Sequence, residues 1–431
     1  MIRPAPARVL LDLLRWTNRL GDRLAYAAIL FGATLTVVLL LLVLVVIAKT
    51  PGMLQTFVPD FSAFWAAAAL TLDGTPALAY DWEAHRDIQT AHLEAEYRNW
   101  MPWHYPPHFQ LLVTPFGLLA PAPARAVWIF VTLAGFLMVV RRILPGRAPM
   151  LAVLLAGPTI VILVNGQTGF LTAALTGLAL LWWHERPVAA GAALGLLAVK
   201  PQLALALPVA ALAEGRWRLL AAATATALGL GALSVAALGA ETWRAFFAAM
   251  GRTAEMFADG KVQWQLYGSV YGRLRLDGFD FATAMAVQGL VSAAVLWVML
   301  RALRRPGLAD DARAALIAYA CMAISPRVLD YDMLTLFVGG LFQIRHARAR
   351  GFFPGECLVL ALALGGSMVD LVLLMHFASD INFVLAPFLL GALVLGERWR
   401  ERQTARPPLA APPNQPEDRE PAMIMGAPSV D

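Results

Sequence analysis

Charge is scarce in this chain. Only 15% of its 431 residues are Asp, Glu, Lys or Arg, while 59% are hydrophobic, which excludes an ordinary soluble domain and makes the bilayer the expected solvent. Cysteine is scarcer still. Cys321 and Cys357 both lie in apolar stretches without CxxC or histidine spacing, so buried inert thiols are expected rather than a disulfide or zinc site. A glycine-rich phosphate loop after a strand and histidines at ligand spacing are also missing, which argues against a soluble nucleotide-sugar site. Asp310-Asp311 reads as a helix cap, and His85 and His92, seven apart, read as solvated. No metal ligand is assigned, and the need for a divalent metal stays open. No internal repeat is visible.

Apolar stretches of about 12 to 24 residues recur from Ala25 to Leu395, each bounded by charge, proline or glycine. Ala25 to Ala48 carries no charge, is longer than a signal-peptide core and is followed by Lys49-Thr50-Pro51 instead of a small-x-small cleavage site; a retained anchor is expected. The net charge of +5 is not a nucleic-acid footprint, because the basic residues cluster at helix ends.

Seven such clusters punctuate the chain: Arg8 to Arg23, Arg141 to Arg147, Arg186, Arg216 to Arg218, Arg301 to Arg305, Arg345 to Arg350, and Arg398 to Arg402. If each is cytoplasmic, the chain leaves and returns between consecutive clusters, giving about twelve crossings. The expected organisation is a basic cytoplasmic segment over 1–24, a membrane domain over 25–400 and a proline- and charge-rich disordered cytoplasmic tail over 401–431. Outside lie two large loops, 49–108 and 240–282, and shorter turns at Asn165-Gly166-Gln167, Lys200-Pro201-Gln202, Ser325 to Asp332 and Phe377 to Asn382. Asp81 to Tyr97 in the first loop suits a helix lying along the membrane surface. Pro107 to Arg141, interrupted by Pro115, Pro121 and Pro123, predicts a kinked piece followed by a single span.

The polar groups with chemical potential gather on the outside. Asp60 opens the short apolar helix Phe61 to Leu72 and suits either an N-cap or a general base. Val188 to Val199 is short enough to leave Lys200 within the membrane thickness at the turn of a helical hairpin, where a cation needs a partner or a ligand. Arg327 lies outside against the usual charge bias, asking for an anion or for pairing with Asp330 or Asp332. Trp100, Trp103, His104 and Tyr105 suit either phosphate or sugar contacts or an interfacial aromatic belt.

Asp60-Phe61 with Phe64-Trp65, then Asp73-Gly74-Thr75-Pro76, Tyr80-Asp81 and Tyr105-Pro106-Pro107 with Pro115-Phe116, resembles the opening of glycosyltransferase family eighty-seven. The likeness continues in order through Asn165-Gly166-Gln167, Lys200-Pro201-Gln202, Ser325-Pro326 and Tyr331-Asp332. One departure stands at Gln265-Leu266-Tyr267-Gly268-Ser269, where the family often shows Asn-Gln-Ser; Ser269 and the later Arg273 are in place, the Asn-Gln pair is not.

The resemblance implies an all-α polytopic bundle of the GT-C type in a bacterial inner membrane, both termini cytoplasmic, with a helical first extracytoplasmic loop. It implies transfer of a hexose, mannose by the family's habit, from a polyprenyl-phosphate donor to a lipid or glycan acceptor with inversion. Asp60 would be the base, Lys200 and Arg327 the donor-phosphate ligands, and His104, Tyr105, Asn165, Gln167, Gln202, Ser269, Arg273, Tyr331 and Asp332 the substrate contacts. Expected partners are the bilayer, the lipid-linked donor and the acceptor, with no nucleic acid. The competing classes are a transporter or flippase of a lipid-linked sugar, and a non-catalytic membrane subunit.

Overall fold

The computed structural model describes residues 60–91, 100–260, 262–353, 355–364 and 381–396. The expected anchor at 25–48, the outside turn at 377–382 up to Asp380, and the tail lie outside the described residues, as does His92. The described residues up to Val394 belong to one compact unit, and it is all-helical among them.

The helix α1 (Phe61–Leu72) has the bounds its apolar run predicts, ending where Asp73-Gly74 supplies a turn with positive φ at the glycine. Of the expected surface helix, α2 (Trp82–Ala91) is described, and the stretch on to Tyr97 lies outside the described residues. The proline-interrupted stretch behaves as anticipated: α3 (Pro107–Val113) gives way to a 3-10 turn at Thr114–Leu118, and α4 begins afresh at Pro121 and runs to Ile143. Proline opens α3 and α4, where its missing N–H costs nothing.

Next come α5 (Arg147–Leu154) and α6 (Gly157–Asn165), which meet at a 58° bend. Pro158 sits just after that break. Then follow α7 (Gly169–Leu181), α8 (Pro187–Leu196), α9 (Ala206–Ala213), α10 (Trp217–Leu238) and α11 (Ala240–Ala258). After them stand α12 (Val270–Leu276), α13 (Phe281–Leu303), α14 (Asp310–Ile324) and α15 (Leu334–Arg350).

Three of these, α4, α10 and α13, are long and apolar enough to cross a membrane, and the bent pair α5–α6 would make a fourth. The rest of the twelve expected crossings are not matched by helices of that length among the described residues; α1, α7 and the α8 stretch to Val199 are apolar but shorter. α8 meets α10 through small residues. A Cβ on Gly191 would stand 2.3 Å from Leu219 O, and one on Gly195 would stand 2.6 Å from Ala223 O. This glycine pair four apart lets two backbones touch, the packing that lipid-embedded helices use.

Asp310 and Asp311 correct an expectation. They occupy the first turn of α14, where acids favour the helix dipole, but Ala309 is the N-cap residue and makes no side-chain cap. Asp311 instead binds Arg345 and Asp310 binds His184. Neither Cys321 nor Cys357 forms a disulfide; Cys321 is buried and Cys357 partly exposed.

Candidate active site

The site rests on an aromatic core. Phe64, on the buried face of α1, packs edge-on against Tyr105 at 5.3 Å, Phe109 at 5.4 Å, Trp128 at 5.7 Å and Trp103 at 5.9 Å, joining α1, the first loop, α3 and α4. Rings at these angles gain beyond simple burial. Trp103 is 1% exposed, so it belongs to the core and not to an interfacial belt. Tyr105 is held on the same platform, and the Tyr80 hydroxyl donates to its carbonyl at 2.8 Å.

Asp60 stands at the edge of this platform. It precedes α1, yet its carboxylate makes no capping bond; Oδ2 instead accepts from Gln167 Nε2 at 2.8 Å. The Gln167 amide is itself oriented, because its Oε1 accepts the Tyr105 hydroxyl at 3.0 Å. Gln167 reaches Asp60 through a tight turn. Gly166 adopts φ +74°, and a Cβ there would stand 2.8 Å from Phe61 Cβ, so the Asn-Gly-Gln turn requires glycine at its centre. Arg125, which carried no signal in the sequence, braces this turn by donating to Val164 O at 2.7 Å. Burial pushes the Asp60 carboxyl above the ordinary carboxylate range, opposed by the Gln167 hydrogen bond and by the charge of Lys200.

Lys200 lies at the turn of the helical hairpin, between 3-10 segments at Leu197–Val199 and Pro201–Leu203. It is 6% exposed, and Nζ donates to Asp332 Oδ1 at 2.8 Å. Asp332 is wholly buried, and its second oxygen accepts from Leu329 N at 3.2 Å. Lys200 also lies 4.4 Å from the Tyr331 ring and 6.0 Å from that of Tyr105. Asp330 sits beside them, where burial, reinforced by the charges of Asp60 and Asp332, pushes its carboxyl up to about 7. Asp60, Tyr105, Gln167, Lys200, Tyr331 and Asp332 are thus gathered in one cluster from five separate parts of the chain.

Of the two roles open to Arg327, pairing with Asp330 or Asp332 is not the one the structure shows. Lys200 holds Asp332, and Arg327 makes no ion pair among the described residues; its guanidinium lies 4.0 Å over the Phe257 ring. Its charge is felt by Tyr267 and by His104. His104 Nδ1 is 3.1 Å from the Thr253 hydroxyl, and burial, with Arg327 nearby, brings its imidazole down to about 4.

Two expected contacts are occupied elsewhere. Ser269 caps α12, accepting from Gly272 N at 3.0 Å while donating to Pro326 O at 2.7 Å. Arg273 grips Asp277 through two bonds of 2.9 and 2.7 Å, one turn along its own helix. His85 is not solvated but fully buried, its ring nitrogens without hydrogen-bond partners among the described residues. Asn165 and Gln202 are partly exposed, and neither is tied to the Asp60 cluster. Among the described residues, no group of His, Cys, Asp and Glu could hold a metal ion. A cavity of about 610 Å³ lies apart from all of this, lined by Trp183, His184, Asp310, Arg313 and Arg345. Several of its polar walls pair with one another, His184 and Arg313 with Asp310 and Arg345 with Asp311.

In comparison with known proteins, the model of one family, Glycosyltransferase family 87, matches residues 103–326. No curated protein and no solved structure matches the chain.

Proposed function

The chain belongs to glycosyltransferase family 87, and from that premise we propose that Asp60 is the general base of an inverting sugar transfer. The family makes it a membrane glycosyltransferase. The proposed donor is a hexose, mannose in the first instance, on a polyprenyl phosphate, and the proposed acceptor is a lipid or glycan hydroxyl on the extracytoplasmic side.

The observation that carries this reading is the Asp60 carboxylate, released from capping and aimed by Gln167. A carboxylate with an elevated proton affinity is a better base near neutral pH. As the acceptor oxygen attacks the anomeric carbon, its proton passes to Asp60. The bond from that carbon to the phosphate oxygen breaks, and its electron pair leaves with the phosphate. The second requirement is positive charge at that leaving group. Arg327 suits it, as a cation without a carboxylate partner among the described residues. Lys200 adds charge to the same region but shares it with Asp332. His104, Tyr105 and Tyr331 are the remaining polar contacts proposed for substrate.

The test is Asp60→Asn, assayed in proteoliposomes with radiolabelled polyprenyl-phosphate-mannose and a membrane lipid extract. Transfer falls by about 10²- to 10⁴-fold if Asp60 takes the proton, while donor binding and thermal stability stay near wild type, since Asp60 forms no cap to lose. Transfer within a few-fold of wild type removes Asp60 from the reaction. Movement of intact donor across the bilayer without transfer favours a flippase.

A further inference from the structure

Helix α11 divides into three faces. Successive positions step by about 100°, so Thr242, Ala249, Thr253 and Phe257 share one side, and all four are buried. The charged residues Glu241, Arg244, Arg252 and Glu255 fall together on another, exposed side. Between them runs a strip with no charge: Trp243, Phe247, Met250, Ala254 and Ala258. Trp243 is partly buried and the other four are exposed, Phe247 at 61% and Met250 at 52%.

A soluble helix needs two faces, one for the core and one for water. A third face, apolar and bare, calls for a third medium. The surroundings specify it. α10 is one of the helices able to cross a membrane, and Leu228, Leu233 and Val235 toward its C-terminal end are exposed. One residue, Gly239, separates α10 from α11. The Trp243 indole donates to Ser234 Oγ at 3.0 Å. In one continuous helix those nine steps would separate them by about 13 Å along the axis, so α11 folds sharply away from α10. The bare strip of α11 therefore continues the apolar surface of a spanning helix around a corner at its end.

We infer that α11 is an interfacial helix whose Trp243, Phe247 and Met250 strip seats in the lipid surface at the boundary of headgroups and acyl chains. An amphipathic helix in the membrane plane has this division of apolar and charged sides, and Trp243 suits that boundary. The buried side of α11 reaches the candidate site, through Thr253 to His104 and through Phe257 to Arg327. The lipid surface thereby gauges the depth at which those two side chains stand. This holds whichever residue is the base, so it stands apart from the assignment of Asp60.

The test places spin labels on Phe247→Cys, Met250→Cys, Arg244→Cys and Glu255→Cys, each in a Cys357→Ser background that leaves only the buried Cys321. The full chain is reconstituted in nanodiscs of mixed phosphatidylcholine and phosphatidylglycerol. Power-saturation EPR then compares oxygen, which partitions into lipid, with nickel-EDDA, which stays in water. Labels at 247 and 250 are expected to collide preferentially with oxygen, and labels at 244 and 255 with nickel. Equal nickel access at all four positions overturns the inference. So does shielding of 247 and 250 from both reagents, which would mean a protein surface covers the strip.

Discussion

Gln167 donates to Asp60 at 2.8 Å with the amide whose oxygen accepts the Tyr105 hydroxyl. The chain of three has one polarity: a tyrosine can only give its proton toward the glutamine oxygen, which turns the amide nitrogen toward the carboxylate and favours its ionised form.

Gln167→Glu should therefore do more than remove a hydrogen bond. A second carboxylate beside Asp60 raises the proton affinity of Asp60 further, so the rising limb of the pH profile of kcat/KM moves to higher pH and transfer at neutral pH falls. Gln167→Ala should lower transfer without that full displacement. Profiles from pH 5 to 9 check both; superimposable limbs in Gln167→Glu and wild type would separate Gln167 from the titration of the base.

Lys200 and Asp332 form a nearly water-free ion pair, with side chains 7% and 0% exposed. Lys200→Ala strands the carboxylate and should cost about 3–5 kcal/mol, and Asp332→Ala strands the cation with a similar effect. Removing both should cost less than the sum of the two. Thermal unfolding of the four proteins in one detergent completes the cycle, and simple additivity would show that the pair has no energetic coupling.

The two arginines offered by the sequence now part ways. Arg327→Ala should weaken donor use about 10- to 100-fold, the range for a lost charged hydrogen bond. Arg273→Ala should stay within a few-fold of wild type, because its guanidinium is already committed to Asp277. Donor KM and kcat for both variants decide the matter, and the reverse order of effects would exchange their roles.

Burial holds His85 at about 3 and His104 at about 4, below the ordinary histidine value. The unfolded chain takes up these protons near pH ~6.5, whereas the native state resists until much lower pH. This contribution is thus complete above that value and is lost as pH falls from about 6.5 toward 4. The melting temperature in detergent should drop across that window, and less steeply in His85→Gln; an unchanged slope would show that His85 protonation is not linked to unfolding.

How much of this was readable beforehand depends on how local each feature is. α1 announced itself through an apolar run bracketed by Asp60 and Asp73-Gly74, and the hairpin at Lys200 through the shortness of its flanks and through Pro201. The alternation of basic clusters assigns Tyr105, Gln167, Lys200 and Tyr331 to one expected side, and the fold brings these four residues together. Partnerships were not readable. Lys200 and Asp332 are 132 positions apart, and no local pattern says which of Asp330 and Asp332 takes the cation. Ser269 and Arg273 carried the right residue types but were spent on a cap and an i,i+4 pair. The burial of His85 is not legible in the sequence, because a mixed stretch such as Asp81 to Ala91 does not reveal which of its faces is covered.

One small feature ties the segments at 267–269 and 326–329 together. Tyr267 and Leu329 form an isolated antiparallel bridge, Gly268 N donates to Val328 O at 2.9 Å, and the Ser269 hydroxyl donates to Pro326 O at 2.7 Å. Arg327 is carried within that clasp. Anything that displaces residues 267–269 must drag the Arg327 guanidinium with it, so the second loop works as a handle on this charge.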